Sequence, residues 1–411
     1  MGTDNKSQRP ANHPGDDLRV NADGTPRKRK PSKKAIMMRK KRRRQKLIKR
    51  LVLILIIAVL VIAGIVWGVI AANNKKKSKE DNKPKAGNEL NINNEADKEE
   101  PVVKRDPVSI TVSMTGDCTL GTDVNFNYST SLNAYFEQHG PDYFLQNVRD
   151  IFEADDLTVV NFEGTLTESN NRQDKTFAFK APASFAKILS GSSVEAANLA
   201  NNHSFDYGQE SFDDTKAALD AEGIINFGYD RTQVVDVKGI KVGLVGIYEL
   251  NDHMGRAQQV KDNIAKVKEE GAELILVVFH WGIERDAVPT DTQTALARLA
   301  IDEGADLVCG HHPHVLQGLE TYKGKNIVYS LGNFCFGGNS NPSDKDTVIF
   351  QQTFTITDEG VQDDNDYNII PCSISSVSGY NDYRPTPLTG DEATRVMNKF
   401  NERSELIPKA E

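Results

Sequence analysis

The chain predicts an α/β fold in which two β layers face each other between helices, and three features of the sequence lead there. From about Val108 onward, short apolar runs alternate with helical periods. Strand candidates twice follow one another with no helix between, around Lys238-Gly239 and across 347–376, so antiparallel hairpins join the sheets. Five polar clusters stand where runs of Val, Ile or Leu end: Met-Thr-Gly-Asp-Cys at 114–118, Asn-Phe-Glu at 161–163, Asn-Asn-His at 201–203, His-Trp at 280–281 and Gly-His-His-Pro-His at 310–314. Ligands of open α/β sheets bind at the carboxyl ends of strands, which is where these clusters fall.

Composition divides the chain before that fold begins. Residues 1–50 are polar and then intensely basic, a tail rather than a core. Residues 51–72 are 22 positions without a charge, enough for a transmembrane helix, which needs about 20. A signal peptide is the competing reading, but the run is longer than the usual apolar region and lacks a clear cleavage site. The basic block precedes the span, so the N-terminus is expected in the cytoplasm and the C-terminal part outside the cell. Residues 73–107 are rich in Lys, Asn, Glu and Asp, without periodicity, as a disordered linker would be. A folded domain over 108–380 and a C-terminal helix and tail over 381–411 complete the division.

Residues 1–100 carry a net charge of +14, so the overall −8 leaves −22 on the remainder. A field of that sign repels nucleic acid, and an anionic substrate would need a local cationic centre. Beside a membrane span, the basic tail reads as a topology signal rather than a nucleic-acid arm. Cys118, Cys309, Cys335 and Cys372 lie in apolar runs and read as buried thiols, with one disulfide among them left open.

In chain order, the apolar runs predict strands over 109–114, 157–162, 194–199, 234–237, 241–247, 274–279, 307–309, 327–330, 347–356 and 368–376. Helical periods fall over 142–154, 183–189, 209–222, 257–270, 291–303 and 391–403.

The chemistry sits at the strand ends. Asp117 follows Gly116, where the chain can turn sharply, although an Asp there is often a cap or turn former. Glu163 closes a wholly apolar strand, and burying a carboxylate is costly unless it meets a cation. Asn161 shares its face and is placed to orient the acid or a substrate. Asn202 and His203 offer a carbonyl oxygen and an imidazole side by side, donors that suit Mn, Zn or Fe. His280 stands alone at the end of its strand, where a histidine is more often a satisfied core residue than a ligand. His311, His312 and His314 would repel one another if protonated and need partners if neutral, and metal ligation answers both problems. Five of the eight histidines of the chain fall in these clusters.

These motifs resemble, in order, those of CapA-type capsule or poly-γ-glutamate synthesis proteins: Gly116-Asp117 with Leu120-Gly121, 161–167 (Asn-Phe-Glu-Gly-Thr-Leu-Thr), 179–182 (Phe-Lys-Ala-Pro), 200–203, 280–282, 310–317 and 330–334 (Ser-Leu-Gly-Asn-Phe). The resemblance implies a four-layer α/β/β/α sandwich of the metallophosphoesterase kind, with a single N-terminal membrane anchor. It carries metal-ligand roles to Asp117, Glu163, Asn202, His203, His280, His312 and His314, holding one or two divalent ions. His312 or His311 would serve as proton donor, and Asn333 would position substrate. The sequence departs from the phosphoesterase pattern twice. Thr119 stands where an Asp-x-His opening would have its histidine, and the closing motif has one extra residue, which leaves His311 or His312 as the ligand, with His312 preferred.

The implied activity is that of a membrane-anchored extracellular protein, hydrolase-like and metal-dependent, with an anionic surface polymer or its synthase complex as partner. Two alternatives stay open: a non-enzymatic accessory subunit that binds polymer or synthase, and a general extracellular phosphoesterase.

Overall fold

The computed structural model describes residues 104–409. Its strands are β1 (Val108–Thr119), β2 (Leu157–Phe162), β3 (Thr165–Leu166), β4 (Lys180–Ala181), β5 (Ala196–Asn198), β6 (Ile225–Phe227), β7 (Gln233–Val237), β8 (Ile240–Tyr248), β9 (Leu274–His280), β10 (Leu307–His311), β11 (Leu316–Tyr322), β12 (Lys325–Leu331), β13 (Asn333–Phe336), β14 (Asp346–Thr357), β15 (Gly360–Val361), β16 (Asp366–Ser373) and β17 (Thr386–Pro387). Its α-helices are α1 (Leu132–His139), α2 (Arg149–Glu153), α3 (Lys187–Ser190), α4 (Gly208–Ala221), α5 (Ala257–Glu269), α6 (Asp291–Asp302) and α7 (Gly390–Glu405).

Two mixed sheets carry the fold. One runs β17-β16-β14-β1-β2-β5-β6, with β13 alongside β1 and β15 alongside β14; the other runs β11-β12-β10-β9-β8-β7. The middle strands of each are parallel, and antiparallel hairpins supply the flanks. One hairpin turns at Lys238 and Gly239, both at positive φ, the primed geometry that matches strand twist.

Alternation along the strands separates three apolar clusters. Ile110, Val112, Met114, Leu157, Val159, Leu244, Leu276 and Cys309 fill the space between the sheets. Val160 and Phe162 pack outward under α1 to α4, while Val245, Ile275, Val277 and Val308 pack outward under α5 and α6. Helices, sheet, sheet, helices is therefore the layer order. Helix α7 lies against β11 and sends Val396 and Phe400 into the central cluster. Gly318 is required there, because a Cβ would come within 2.2 Å of the Ser404 Cα.

The period of two also aims the polar strand ends. Residues 157 and 159 of β2 face the space between the sheets, so Asn161 does too; by the same parity His280 follows Leu276 and Val278, and His311 follows Leu307 and Cys309. Asp117 would face outward with Thr111 and Ser113 if β1 were regular. A bulge prevents this: Met114 pairs with Val159, yet Asp117 pairs with Asn161, three residues against two. The extra residue re-aims Asp117 to the inner side and sends Cys118 into the outer cluster. Gly116 permits the bulge, since a Cβ would lie 2.3 Å from the Gly332 carbonyl oxygen.

Several elements differ from expectation. The segment 142–154 is not one helix but a 3-10 turn at Pro141–Tyr143 followed by α2. Phe144, Leu145 and Val148 bury into the outer cluster and the Asn147 side chain bonds Thr386 at 2.9 Å, so packing overrides helical periodicity. The segment 183–189 is a 3-10 turn before the short α3, and only Ala196–Asn198 of 194–199 is strand. Helix α1 was unforeseen, although Ser131 caps its start and Gly140, at φ 77°, ends it.

No helix among the described residues is long and apolar enough to cross a membrane. The basic tail 1–50, the uncharged run 51–72 and the linker up to residue 103 lie outside the described residues. Arg105, expected in the linker, is already tied to Glu273 at 2.8 Å and to the Thr357 carbonyl at 2.7 Å. All four cysteines are buried free thiols.

Candidate metal centre

At the carboxyl ends of β1, β2, β9 and β10 the polar clusters converge. Asp117 is fully buried; Asn161 donates to its Oδ1 at 2.8 Å, His311 Nδ1 lies 3.1 Å from that oxygen, and His314 Nδ1 lies 3.1 Å from Oδ2. The backbone N–H of His312 also points to Oδ2, at 3.3 Å. Asn161 in turn lies 3.3 Å from His280 Nδ1 and accepts from Asn198 at 2.9 Å. The Asn202 side-chain oxygen sits 2.9 Å from His280 Nε2.

Glu163 is the hub. Its Oε1 lies 3.7 Å from His203 Nε2, 3.8 Å from His280 Nε2 and 4.0 Å from His314 Nε2. Those distances exceed hydrogen bonds, and among the described residues neither carboxylate oxygen has a partner although Glu163 is fully buried. Among the described residues, His311 Nδ1 and His312 Nδ1 are also buried without a hydrogen-bond partner, although His311 Nδ1 lies close to Asp117. Donor atoms of Glu163, His280 and His312 lie within 4.8 Å of one another, as do those of Asp117, Glu163 and His314, and those of Glu284, His312 and His314.

His312 and His314 hold left-handed backbone, at φ 96° and 56°, on either side of Pro313. Such conformations cost roughly 1–3 kcal/mol each and persist where surrounding structure imposes them. Here the Asp117 bond to the His312 N–H and the Asn333 bond to His314 Nδ1, at 2.9 Å, do so.

Protonation follows from burial and charge. Burial, then the neighbouring His312, hold His280 well below its usual range; burial, then His314, bring His312 down to about 4; burial lowers His203 against the pull of Asp206. Three imidazoles are thus neutral donors at pH 7. Burial and the charge of Asp117 push Glu163 up to about 8. Burial would raise Asp117 too, but hydrogen bonds and charge from His311 and His314 hold it well below the carboxylate range. Burial would lower His314, yet Glu163 and Asp117 outweigh it and lift it to about 10. Among the described residues, one imidazolium and, more weakly, the Lys175 ammonium are what oppose the charge on Glu163. A divalent cation fits better, because it would partner the orphaned oxygens of Glu163 and the neutral imidazoles together.

Every site residue expected from the sequence stands in this region: Asp117, Asn161, Glu163, Asn202, His203, His280, His311, His312, His314 and Asn333. His311 is drawn to Asp117, whereas His312 belongs to two of the donor groupings. Thr119, in the place of an Asp-x-His histidine, is buried with its hydroxyl unpartnered.

Four contributors went unassigned. Asp206 is fully buried against His203 Nδ1 at 2.8 Å. Lys175 bonds Asp206 at 2.6 Å and the Asn202 carbonyl at 2.8 Å. Asn198 shares the parity of Ala196, a signal that was legible, and Glu284 follows His280 by four residues. Lys175 sits in a polar loop with no periodicity to place it.

Phe179 packs 4.6 Å from the His203 ring and Phe336 5.7 Å from His314, forming an aromatic wall. Phe177 stacks parallel to Phe179 and lines a cavity of about 380 Å3 with Asn125, Asn127, Ser340 and Tyr383.

The chain is 30% identical over 315 residues to the capsule biosynthesis protein CapA of Bacillus anthracis, covering 70% of this chain and 72% of that one. It is 33% identical over 225 residues to the PGA biosynthesis protein CapA of Bacillus subtilis (strain 168), covering 49% of this chain but only 58% of that relative's length. Among solved structures, a hypothetical protein from Thermus thermophilus aligns over 64% of this chain and 98% of its own, at 15% identity and a TM-score of 0.40. The model of the family described as bacterial capsule synthesis protein PGA_cap matches residues 111–338, which hold the whole centre from Asp117 to Asn333, and the chain belongs to that family.

Proposed function

We propose that the chain is a membrane-anchored protein whose outward-facing domain acts in capsule or poly-γ-glutamate synthesis as a metal-dependent, hydrolase-like enzyme of the metallophosphoesterase kind. The observation that carries this reading is Glu163, whose two carboxylate oxygens are buried without partners among neutral imidazoles. Asp117, Glu163, Asn202, His203, His280, His312 and His314 would hold one or two ions of Mn, Zn or Fe. Bound there, such an ion would supply Lewis acidity toward a phosphoester or amide centre and toward a nearby water.

The remaining roles belong to the chain itself. Asn161 and His311 fix Asp117, and Asn333 fixes the His314 ring. Asp206 and Lys175 orient His203. His312, expected as ligand or proton donor, is neutral and set among the donor groupings, so its part here is that of a ligand. The aromatic wall of Phe179 and Phe336 limits water on one side, and the adjoining cavity has room for one unit of a polymer. A net charge of −22 beyond residue 100 repels a polyanion at long range, so its grip would be local to the cationic centre. Anchoring rests on the uncharged run 51–72 behind a basic block.

The buried, unpartnered Thr119 hydroxyl favours a second reading, an accessory subunit that binds polymer or its synthase without turnover. Elemental analysis of the full chain before and after chelation, with hydrolysis of a generic phosphodiester by wild type and His203→Ala, separates them. Retained metal and hydrolysis lost in the variant support the enzyme. Metal-free protein that still binds polymer supports the accessory role. Protease accessibility of the C-terminal domain on intact cells tests the topology.

A further inference from the structure

Glu284 lies in the exposed loop that follows β9, outside the set of ligands named above. Its carboxylate, with one nitrogen each of His312 and His314, forms a group of donors all within 4.8 Å of one another. Both histidines also belong to the inner groupings built on Glu163, so Glu284 faces the centre from its solvent side.

Three independent features hold this arrangement. The loop is pinned to the histidine segment, because the Arg285 backbone N–H donates to the Pro313 carbonyl at 2.7 Å, between the two histidines. Arg285, His312 and His314 all take left-handed backbone, at φ 65°, 96° and 56°, so both sides of that contact adopt costly conformations to face each other. His312 is 6% exposed and its Nδ1 has no hydrogen-bond partner.

Resting on the metal-centre reading above, we infer that Glu284 is the carboxylate ligand of an outer divalent cation, held with His312 and His314 beside the inner site built on Glu163. Two imidazoles and one carboxylate are the donor set of catalytic Zn and Fe(II) sites, which keep coordination positions open for substrate. An outer ion held this way would add a carboxylate donor to a centre that has Thr119 where a histidine ligand would stand. It would also place the open positions toward solvent, where an anionic polymer arrives.

The test uses the full chain, stripped by chelation and titrated with Mn2+ or Zn2+ while stoichiometry is read by elemental analysis and affinity by calorimetry. Wild type is expected to take a second equivalent that Glu284→Gln loses or binds at least about tenfold more weakly. The first equivalent and the thermal midpoint of the stripped protein stay unchanged, since Glu284 is exposed. Equal stoichiometry and affinity in wild type and Glu284→Gln would overturn the role of Glu284 and leave the inner centre standing. A wild-type chain that takes no cation at all would overturn both.

Discussion

Asp206 accepts the Nδ1–H of His203 at 2.8 Å and thereby turns Nε2 of that ring toward Glu163, 3.7 Å away. The same carboxylate accepts from Lys175 at 2.6 Å and from the backbone N–H of Phe179 at 2.6 Å. One buried acid thus sets the tautomer of a metal-facing histidine, anchors a lysine from the 168–178 loop and places the aromatic wall.

Asp206→Asn keeps the shape but weakens acceptance from His203. Partners of this kind typically contribute 10–100-fold in metal affinity. The variant is expected to release its cation to a competing chelator about 10–100-fold more readily than wild type while folding normally. Unchanged retention would remove Asp206 from the centre.

Glu163→Gln should have opposite effects with and without metal. Without a cation, Glu163, pushed up to about 8, takes up a proton to stay buried at pH 7, a cost that the amide avoids, so the stripped variant melts above stripped wild type. With a cation at about a hundred times its Kd, wild type gains about 2.7 kcal/mol of stability, which the variant lacks. Thermal melts with and without Mn2+ check both signs.

Gly310 precedes the histidine cluster, and a Cβ there would meet the Tyr329 carbonyl oxygen at 2.1 Å and Trp281 Nε1 at 2.3 Å. Trp281 Nε1 donates to that same carbonyl at 2.9 Å. Gly310→Ala therefore breaks a packed contact and shifts the segment carrying His311, His312 and His314. A loss of about 1–3 kcal/mol is expected from overpacking, read by denaturant unfolding, together with weaker cation retention.

A pH effect belongs to the far end of the sheet. Burial pushes Asp155 up to about 6, with Glu195 and Asp156 adding to it, against hydrogen bonds from Ser113 and Thr158. A carboxyl raised above its unfolded value favours the fold while protonated. Its contribution is therefore full below about pH 4 and is lost as pH rises toward 6. Asp155→Asn should raise the melting temperature relative to wild type at pH 7, with the difference vanishing near pH 4. A pH-independent difference would contradict the assignment.

Much of the fold was legible because burial imposed strict periods. Leu157–Phe162 reads as a strand from its apolar run alone, and the Lys238-Gly239 turn marks its hairpin. The centre was legible for the same reason: Asn161, His280 and His311 continue the inner parity of their strands. Asp117 was not legible in that way, since its direction depends on a bulge that only pairing with β2 reveals. Lys175 and Glu284 come from irregular loops, whose course is set by contacts with Asp206 and Pro313 rather than by local pattern. The break of 142–154 has the same origin, a tertiary demand stronger than helical propensity.

The bulge in β1 links assembly of the domain to capture of an ion. Asp117 turns inward only once β1 has paired with β2, and its companions arrive from the ends of β2 and β5 beside it and of β9 and β10 in the opposite sheet. An incompletely assembled chain therefore holds these donors scattered, with no chelating strength to speak of. Uptake of a cation would then report that both halves of the molecule have come together, a maturation signal read without any probe attached.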